Sequence, residues 1–262
     1  MGYKNRLFCM LIGLVCLPFA VLSQSFQFPL DTVPLLSGTF GEFRGTHIHA
    51  GIDIKTYQKT GLPVYATADG YVSRIKISPY GYGKAIYLTH HDGFTSVYGH
   101  LSGFNPSLET YIRKHQYQKR SYSVELFPGK EQFPVKKGDL IAYTGNSGGS
   151  YAPHLHFELR DSRTQEIIDP LGFRYPVTDT LAPELKAFQI VSRNRTYKLN
   201  SGFYPVIKSY TLNGQRRMEL ELPPGEYGFV MAAQDWMTGD TSNVLGVHEV
   251  QVMEGFEPLY RR

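Results

Sequence analysis

Apolar and polar positions along most of this chain alternate in short runs and do not recur at helical spacing. Val64 to Ala68, Tyr71 to Ile77, Ala85 to Thr89, Thr95 to His100, Leu140 to Tyr143 and His154 to Arg160 are such runs. A period of two, rich in β-branched and aromatic residues, predicts strands. Asp69-Gly70 and Asp92-Gly93 separate successive runs and predict hairpins. One segment departs from the pattern. Asn105-Pro106 supplies a helix cap and a first-turn proline, and Leu108, Tyr111, Ile112 and His115 then share one helical face. Arg113, Lys114, Lys119 and Arg120 make its other side basic. The expectation is a surface helix packed on the sheet; the sharper alternative is a basic wall beside a substrate groove.

The texture changes near Asp169-Pro170. Beyond Pro183, apolar runs at Leu185 to Val191, Met218 to Leu222, Tyr227 to Ala233 and Val244 to Val252 are punctuated by Asn213-Gly214 and Pro223-Pro224-Gly225. The fold class expected is therefore mainly β: an antiparallel-sheet domain over residues 35–171, with an inserted helical stretch at 102–134, and a smaller β-sandwich-like domain at 183–262, complete or truncated. Residues 24–34 read as an extended leader. Asp235, Asp240 and Asn243 fit no calcium cage and read as a polar turn.

Composition narrows the class. With 42% apolar and 19% charged residues the chain can bury a core and is not a disordered polyampholyte. A net charge of +4 suits an anionic surface such as a cell wall and is too small to argue for nucleic acid. Lys4 and Arg6, then an apolar run from Leu7 to Leu22, then Ser23-Gln24-Ser25, have the order of a secretory signal peptide over residues 1–23. The run is short for an uncleaved membrane anchor, so export to a periplasm or cell envelope, with no membrane span after cleavage, is the expectation. Both cysteines, Cys9 and Cys16, fall inside this segment. Val15 before Cys16 argues against a lipid-modified cysteine. The mature chain would hold any metal through His, Asp or Glu.

Three stretches concentrate the candidate chemistry: His47-Ile48-His49-Ala50-Gly51-Ile52-Asp53, Tyr98-Gly99-His100-Leu101, and Pro153-His154-Leu155-His156-Phe157-Glu158. On a strand His154 and His156 project to the same side. Two imidazoles and a carboxylate make a three-ligand zinc site with a fourth position open for water, and His49 and Asp53 offer the missing donors. A lone H-x-H or H-x-x-x-D is weak evidence; both together, in this order and with Y-x-H-L between them, are not.

With these motifs the chain resembles the lysostaphin-like (LytM-type) zinc endopeptidases, whose hallmarks are H-x-x-x-D, Y-x-H-L and a closing H-L-H. Phe40-Gly41-Glu42-Phe43-Arg44, Gly61-Leu62-Pro63-Val64-Tyr65-Ala66, Val135-Lys136-Lys137-Gly138-Asp139 and Gly145-Asn146-Ser147-Gly148 extend the likeness over roughly Leu35 to Leu171. The resemblance implies zinc held by His49, Asp53 and His156, with His154 and His100 acting on the water or the intermediate. His47 competes with His49, but only His49 stands four residues before the aspartate; His47 is then a supporting or groove-lining residue. Glu158 reads as structural or as a support to a ligand. Some members carry a tyrosine shortly before the first ligand; here Phe43 and Arg44 occupy that neighbourhood, which gives Arg44 a candidate electrostatic role. The function implied is hydrolysis of peptide cross-links in bacterial peptidoglycan, at D-Ala–diaminopimelate bonds. The alternatives are a non-catalytic wall-binding regulator of an amidase and a general secreted protease.

Overall fold

The alternation is realised as strands. The computed structural model describes residues 26–44, 47–192, 206–211, 226–247, 251–254 and 257–261. In chain order these hold β1 (Leu36–Gly38), β2 (Ile52–Lys55), β3 (Pro63–Tyr65), β4 (Gly70–Ile77), β5 (Lys84–His90), β6 (Phe94–Gly99) and β7 (Gly103–Phe104). Helix α1 (Pro106–Lys119) follows, then β8 (Val124–Leu126), β9 (Pro134–Val135), β10 (Leu140–Tyr143), β11 (His154–Asp161) and β12 (Ile167–Ile168). The C-terminal part adds β13 (Glu184–Ser192), β14 (Val206–Thr211), β15 (Tyr227–Met237), β16 (Asp240–Leu245), β17 (Gln251–Glu254) and β18 (Glu257–Arg261). The expected signal segment, the run Met218 to Leu222 and both C-terminal turn signals lie outside the described residues.

The main sheet runs β1-β2-β11-β6-β5-β4-β8, with β12 beside β11 and β9 beside β4. A smaller sheet, β3-β10-β7, lies apart from it. Leu155, Phe157 and Leu159 of β11, Ile52 and Ile54 of β2, Ile86 and Leu88 of β5 and Tyr98 of β6 are fully buried and belong to one hydrophobic cluster. The interleaved His154, His156 and Glu158 share the opposite side of β11, as the pleat requires. Residues 26–30 join the same core: Phe26, Phe28 and Leu30 are buried, and Phe26 packs edge-on against Phe94 and Phe173.

Two sequence expectations come out differently. Asp92-Gly93 does turn the β5–β6 hairpin, with Gly93 at φ +90°. Asp69-Gly70 does not turn one, because β3 pairs with β10 in the smaller sheet and β4 pairs with β5. Glycine is needed at position 70 for a close approach: a Cβ there would stand 2.3 Å from the Thr89 carbonyl oxygen. The run Val244 to Val252 is likewise not one strand; it divides between the end of β16 and the start of β17.

Helix α1 starts where the cap signal placed it, with the Leu108 amide donating to Asn105 Oδ1. Leu108 and Ile112 are buried, and its basic side chains are exposed. None of its residues lines the groove described below, so it is a surface helix and not a groove wall. No helix among the described residues is long and apolar enough to cross a membrane.

In the C-terminal part, a four-stranded antiparallel sheet ordered β14-β13-β15-β16 and a β17–β18 ribbon are described. Met237 and Leu245 of the β15–β16 hairpin are buried in the same cluster as Leu36 of β1, and the Leu36 amide points at Met237 Sδ, 3.2 Å away. The hairpin is thereby packed onto the edge of the main sheet.

Phe157 is fully buried, with its ring against Tyr98 and Tyr175 at centroid distances of 5.3 and 5.8 Å. Phe157→Ala is expected to cost about 3–5 kcal/mol of unfolding free energy, measured by denaturant titration.

Candidate metal centre

The register of three strands builds the site. β2 sets Asp53 opposite His156, and β6 sets Gly99 opposite His156 on the other flank. Gly51 lets the chain leading into β2 lie against β11, since a Cβ there would meet the Phe157 carbonyl oxygen at 2.2 Å. Beyond Gly99 the backbone bends sharply: His100 has φ +58°, a left-handed conformation uncommon outside glycine. It is held there by its amide donating to the Tyr82 carbonyl, 2.8 Å, and by Nδ1–H donating to the Ser147 carbonyl, 2.8 Å.

His49, Asp53 and His156 converge, all nearly inaccessible to solvent. His49 Nε2 lies 3.1 Å from Asp53 Oδ1 and 3.0 Å from His156 Nδ1, and His156 Nδ1 lies 2.9 Å from Asp53 Oδ1. The far nitrogen of each imidazole is occupied. His49 Nδ1 donates to the Thr39 carbonyl at 2.7 Å, and His156 Nε2 donates to Glu158 Oε1 at 2.8 Å. Outer partners of this kind orient an imidazole and leave the facing nitrogen with a lone pair. Two such lone pairs and a carboxylate oxygen at one point attract positive charge. The carboxylates of Asp53 and Glu158 raise His156 to about 9 although burial opposes the charged form. Burial also opposes ionisation of Asp53, yet the surrounding imidazoles hold its carboxyl well below the ordinary range. Two nitrogens and one oxygen this close together fit a small divalent ion at bond lengths of about 2.0–2.2 Å, with one side open.

Glu158 is fully buried, and its other oxygen accepts from Arg160 Nε at 2.7 Å. Tyr82, which the alternation pattern did not single out, donates its hydroxyl to Glu158 Oε1 and stacks its ring on His156 at a centroid distance of 4.8 Å. Its only sequence signal is its place in Gly81-Tyr82-Gly83, a turn of mixed use. Arg44 donates to Asp53 Oδ2 at 2.7 Å and to Glu42 Oε2 at 3.2 Å.

Across from the convergent trio stand His100 and His154, ring centroids 4.7 Å apart. His154 Nε2 is 3.4 Å from Asp53 Oδ1, and its Nδ1–H donates to the Ala152 carbonyl at 2.8 Å. Burial pushes His100 down to about 4, so it is neutral near pH 7. All five residues line one groove of about 920 Å³, together with Arg44, exposed His47, Tyr57, Tyr82 and Tyr151, and with Asp240, Ser242 and Asn243 of β16. His47 is not among the convergent donors. The site residues named from the sequence are thus brought into one groove or, for Glu158, directly behind a donor.

Comparison with known proteins finds the following similarities. The chain is 29% identical over 141 residues to the DD-carboxypeptidase/endopeptidase Mpg of Neisseria meningitidis, a stretch covering 54% of this chain and 26% of that protein. It is 30% identical over 175 residues to a metalloprotease of Haemophilus influenzae, covering 64% of this chain and 31% of that protein. The catalytic domain of the peptidase lysostaphin from Staphylococcus simulans is 27% identical, covers 53% of this chain and 91% of its own, and superposes with a TM-score of 0.40. The matched stretch spans about a quarter to a third of the two full-length relatives. Residues 47–170, which hold all three convergent donors and both facing histidines, match the model of Peptidase family M23, and through them the chain carries a domain of that family.

Proposed function

We propose that this chain is a zinc metalloendopeptidase of the bacterial cell envelope that hydrolyses peptide cross-links of peptidoglycan, at D-Ala–diaminopimelate bonds. The observation that carries the reading is the convergence of His49 Nε2, Asp53 Oδ1 and His156 Nδ1 within about 3 Å of one another, facing His100 and His154. The family match of residues 47–170 supports peptide-bond hydrolysis. The endopeptidase named in the Neisseria relative supports a DD-type bond.

In this reading His49, Asp53 and His156 hold the ion. Zinc bound there would supply a Lewis acid and lower the pKa of water to about 7. The remaining work belongs to the chain. His100 and His154 each donate Nδ1–H to a backbone carbonyl, so each turns a basic Nε2 toward the groove. One takes the proton of the attacking water and delivers it to the leaving amine, and the other accepts a hydrogen bond from that water and orients it for attack. Arg44 fixes Asp53, and Glu158 fixes His156, so that neither donor swings when substrate enters. In this reading the peptide lies along the groove, whose lining includes Tyr57 and Tyr151.

Metal analysis of the purified chain is expected to find about one equivalent of zinc, the stoichiometry of a single three-ligand site. His49→Ala and Asp53→Ala should each lose it. Retention of metal by both variants would remove these residues from the site. His154→Ala is expected to keep its zinc while hydrolysis of sacculi falls at least about 100-fold, the scale of a lost acid–base group; parallel loss of metal would make His154 a ligand.

Mass spectrometry of muropeptides released from purified sacculi is expected to find free D-Ala and diaminopimelate ends. Casein digested in parallel should stay intact. Casein cleavage would favour a general protease, and sacculus binding without any cleavage would favour a wall-binding regulator.

A further inference from the structure

Arg44 is not the end of the support behind Asp53. Its guanidinium is held in turn by Glu42, and Glu42 reaches a residue two hundred positions away. Glu42 Oε1 accepts from the Thr39 amide at 2.7 Å, from Thr39 Oγ1 at 2.8 Å and from the Gly246 amide at 3.0 Å. Its other oxygen accepts from Arg44. Gly246 directly follows β16, and its carbonyl also accepts from Thr39 Oγ1 at 3.4 Å. Thr39 is the residue whose carbonyl fixes His49 Nδ1. A single carboxylate therefore ties together the end of the C-terminal hairpin, the carbonyl that orients one convergent imidazole and the guanidinium that orients the convergent carboxylate.

The backbone is built around this connection. A Cβ at Gly38 would sit 2.2 Å from Arg44 Nη2 and 2.7 Å from Asp53 Oδ2, so only glycine leaves space for that ion pair. A Cβ at Gly246 would sit 2.6 Å from Glu42 Cγ. The hairpin is pinned at its other end as well: Lys55, two residues after Asp53 on β2, donates to Asp240 Oδ2 at 2.6 Å, Ser242 Oγ at 3.0 Å and Asn243 Oδ1 at 3.1 Å. Met237 and Leu245 anchor it in the core between these points. Glu42, Arg44, Gly246 and the hairpin all lie outside residues 47–170.

We propose that the C-terminal hairpin is part of the metal centre's support, and that Glu42 is the positioning residue through which it acts on Asp53 and His49. This rests on the zinc reading above. The charge of Glu42 keeps Arg44 on Asp53 Oδ2, which presents Oδ1 to the ion, while its hold on Thr39 keeps His49 Nε2 turned inward. Losing the hairpin's donor at Gly246 loosens both ligands at once.

The test is zinc affinity of the whole chain, measured by competition with a chromogenic chelator, for the parent, Glu42→Gln and Gly246→Ala. Glu42→Gln keeps the size of the side chain and an oxygen for Thr39 and Gly246 but removes the charge from Arg44. Gly246→Ala pushes Glu42 away from the C-terminal side. Both are expected to weaken zinc binding about 10- to 100-fold, the range seen when an outer partner of a metal ligand is lost. The unfolding midpoint in excess chelator should stay in place for Glu42→Gln, which separates positioning from general destabilisation. Should Gly246→Ala fail to fold, Glu42→Gln decides alone. A parent that binds zinc while Glu42→Gln matches its affinity overturns the relay and leaves the peptidase reading intact. A parent that takes up no zinc overturns that reading, and the relay with it.

Discussion

The pairing of β11 with β2 on one side and β6 on the other is the constraint from which the rest of the site follows. Asp53, His156 and Gly99 are cross-strand neighbours in that register. A slip of one residue would turn His154, His156 and Glu158 into the core and expose Leu155, Phe157 and Leu159. The free energy of burying those three apolar side chains therefore fixes where the imidazoles point. Core and chemistry are two faces of one strand, and neither can be repositioned without the other.

Much of this was legible in the chain itself. Of the strands that carry the site, β6 and β11 alternate over enough residues to be read, and H-x-H declares a shared side wherever a strand forms, whereas β2 is only four residues long. The short strands β1, β7, β9 and β12 are two or three residues long, too brief for any periodicity to show. Asp69-Gly70 misled because a glycine required for backbone contact with Thr89 looks identical in sequence to one required for a turn. Arg44 and Glu158 were visible as charged residues beside the motifs, but their partners were not. Tyr82 and Glu42 act through contacts across strands and loops, and no local spacing announces such a contact.

The support around the trio is as much a part of the site as the donors are. Every convergent side chain has its outward atom engaged: Thr39 behind His49, Arg44 behind Asp53, and Glu158, itself held by Arg160 and Tyr82, behind His156. Preorganisation of this kind lowers the cost of assembling a reactive geometry at the moment substrate arrives. It also explains why a site made of ordinary residues is surrounded by glycines. Positions 38 and 51 bring a guanidinium and a backbone, respectively, closer than a methyl group would permit.

Of the four imidazoles at the centre, His49, His100 and His154 lean on peptide oxygens, those of Thr39, Ser147 and Ala152, and His156 leans on the Glu158 carboxylate. A peptide oxygen is present whatever residue occupies the position. Drift in amino-acid identity at those three places leaves the tautomers untouched, whereas an insertion or deletion in any of the loops that carry them would move an oxygen out of reach. For most of this centre, fragility resides in loop length and not in spelling.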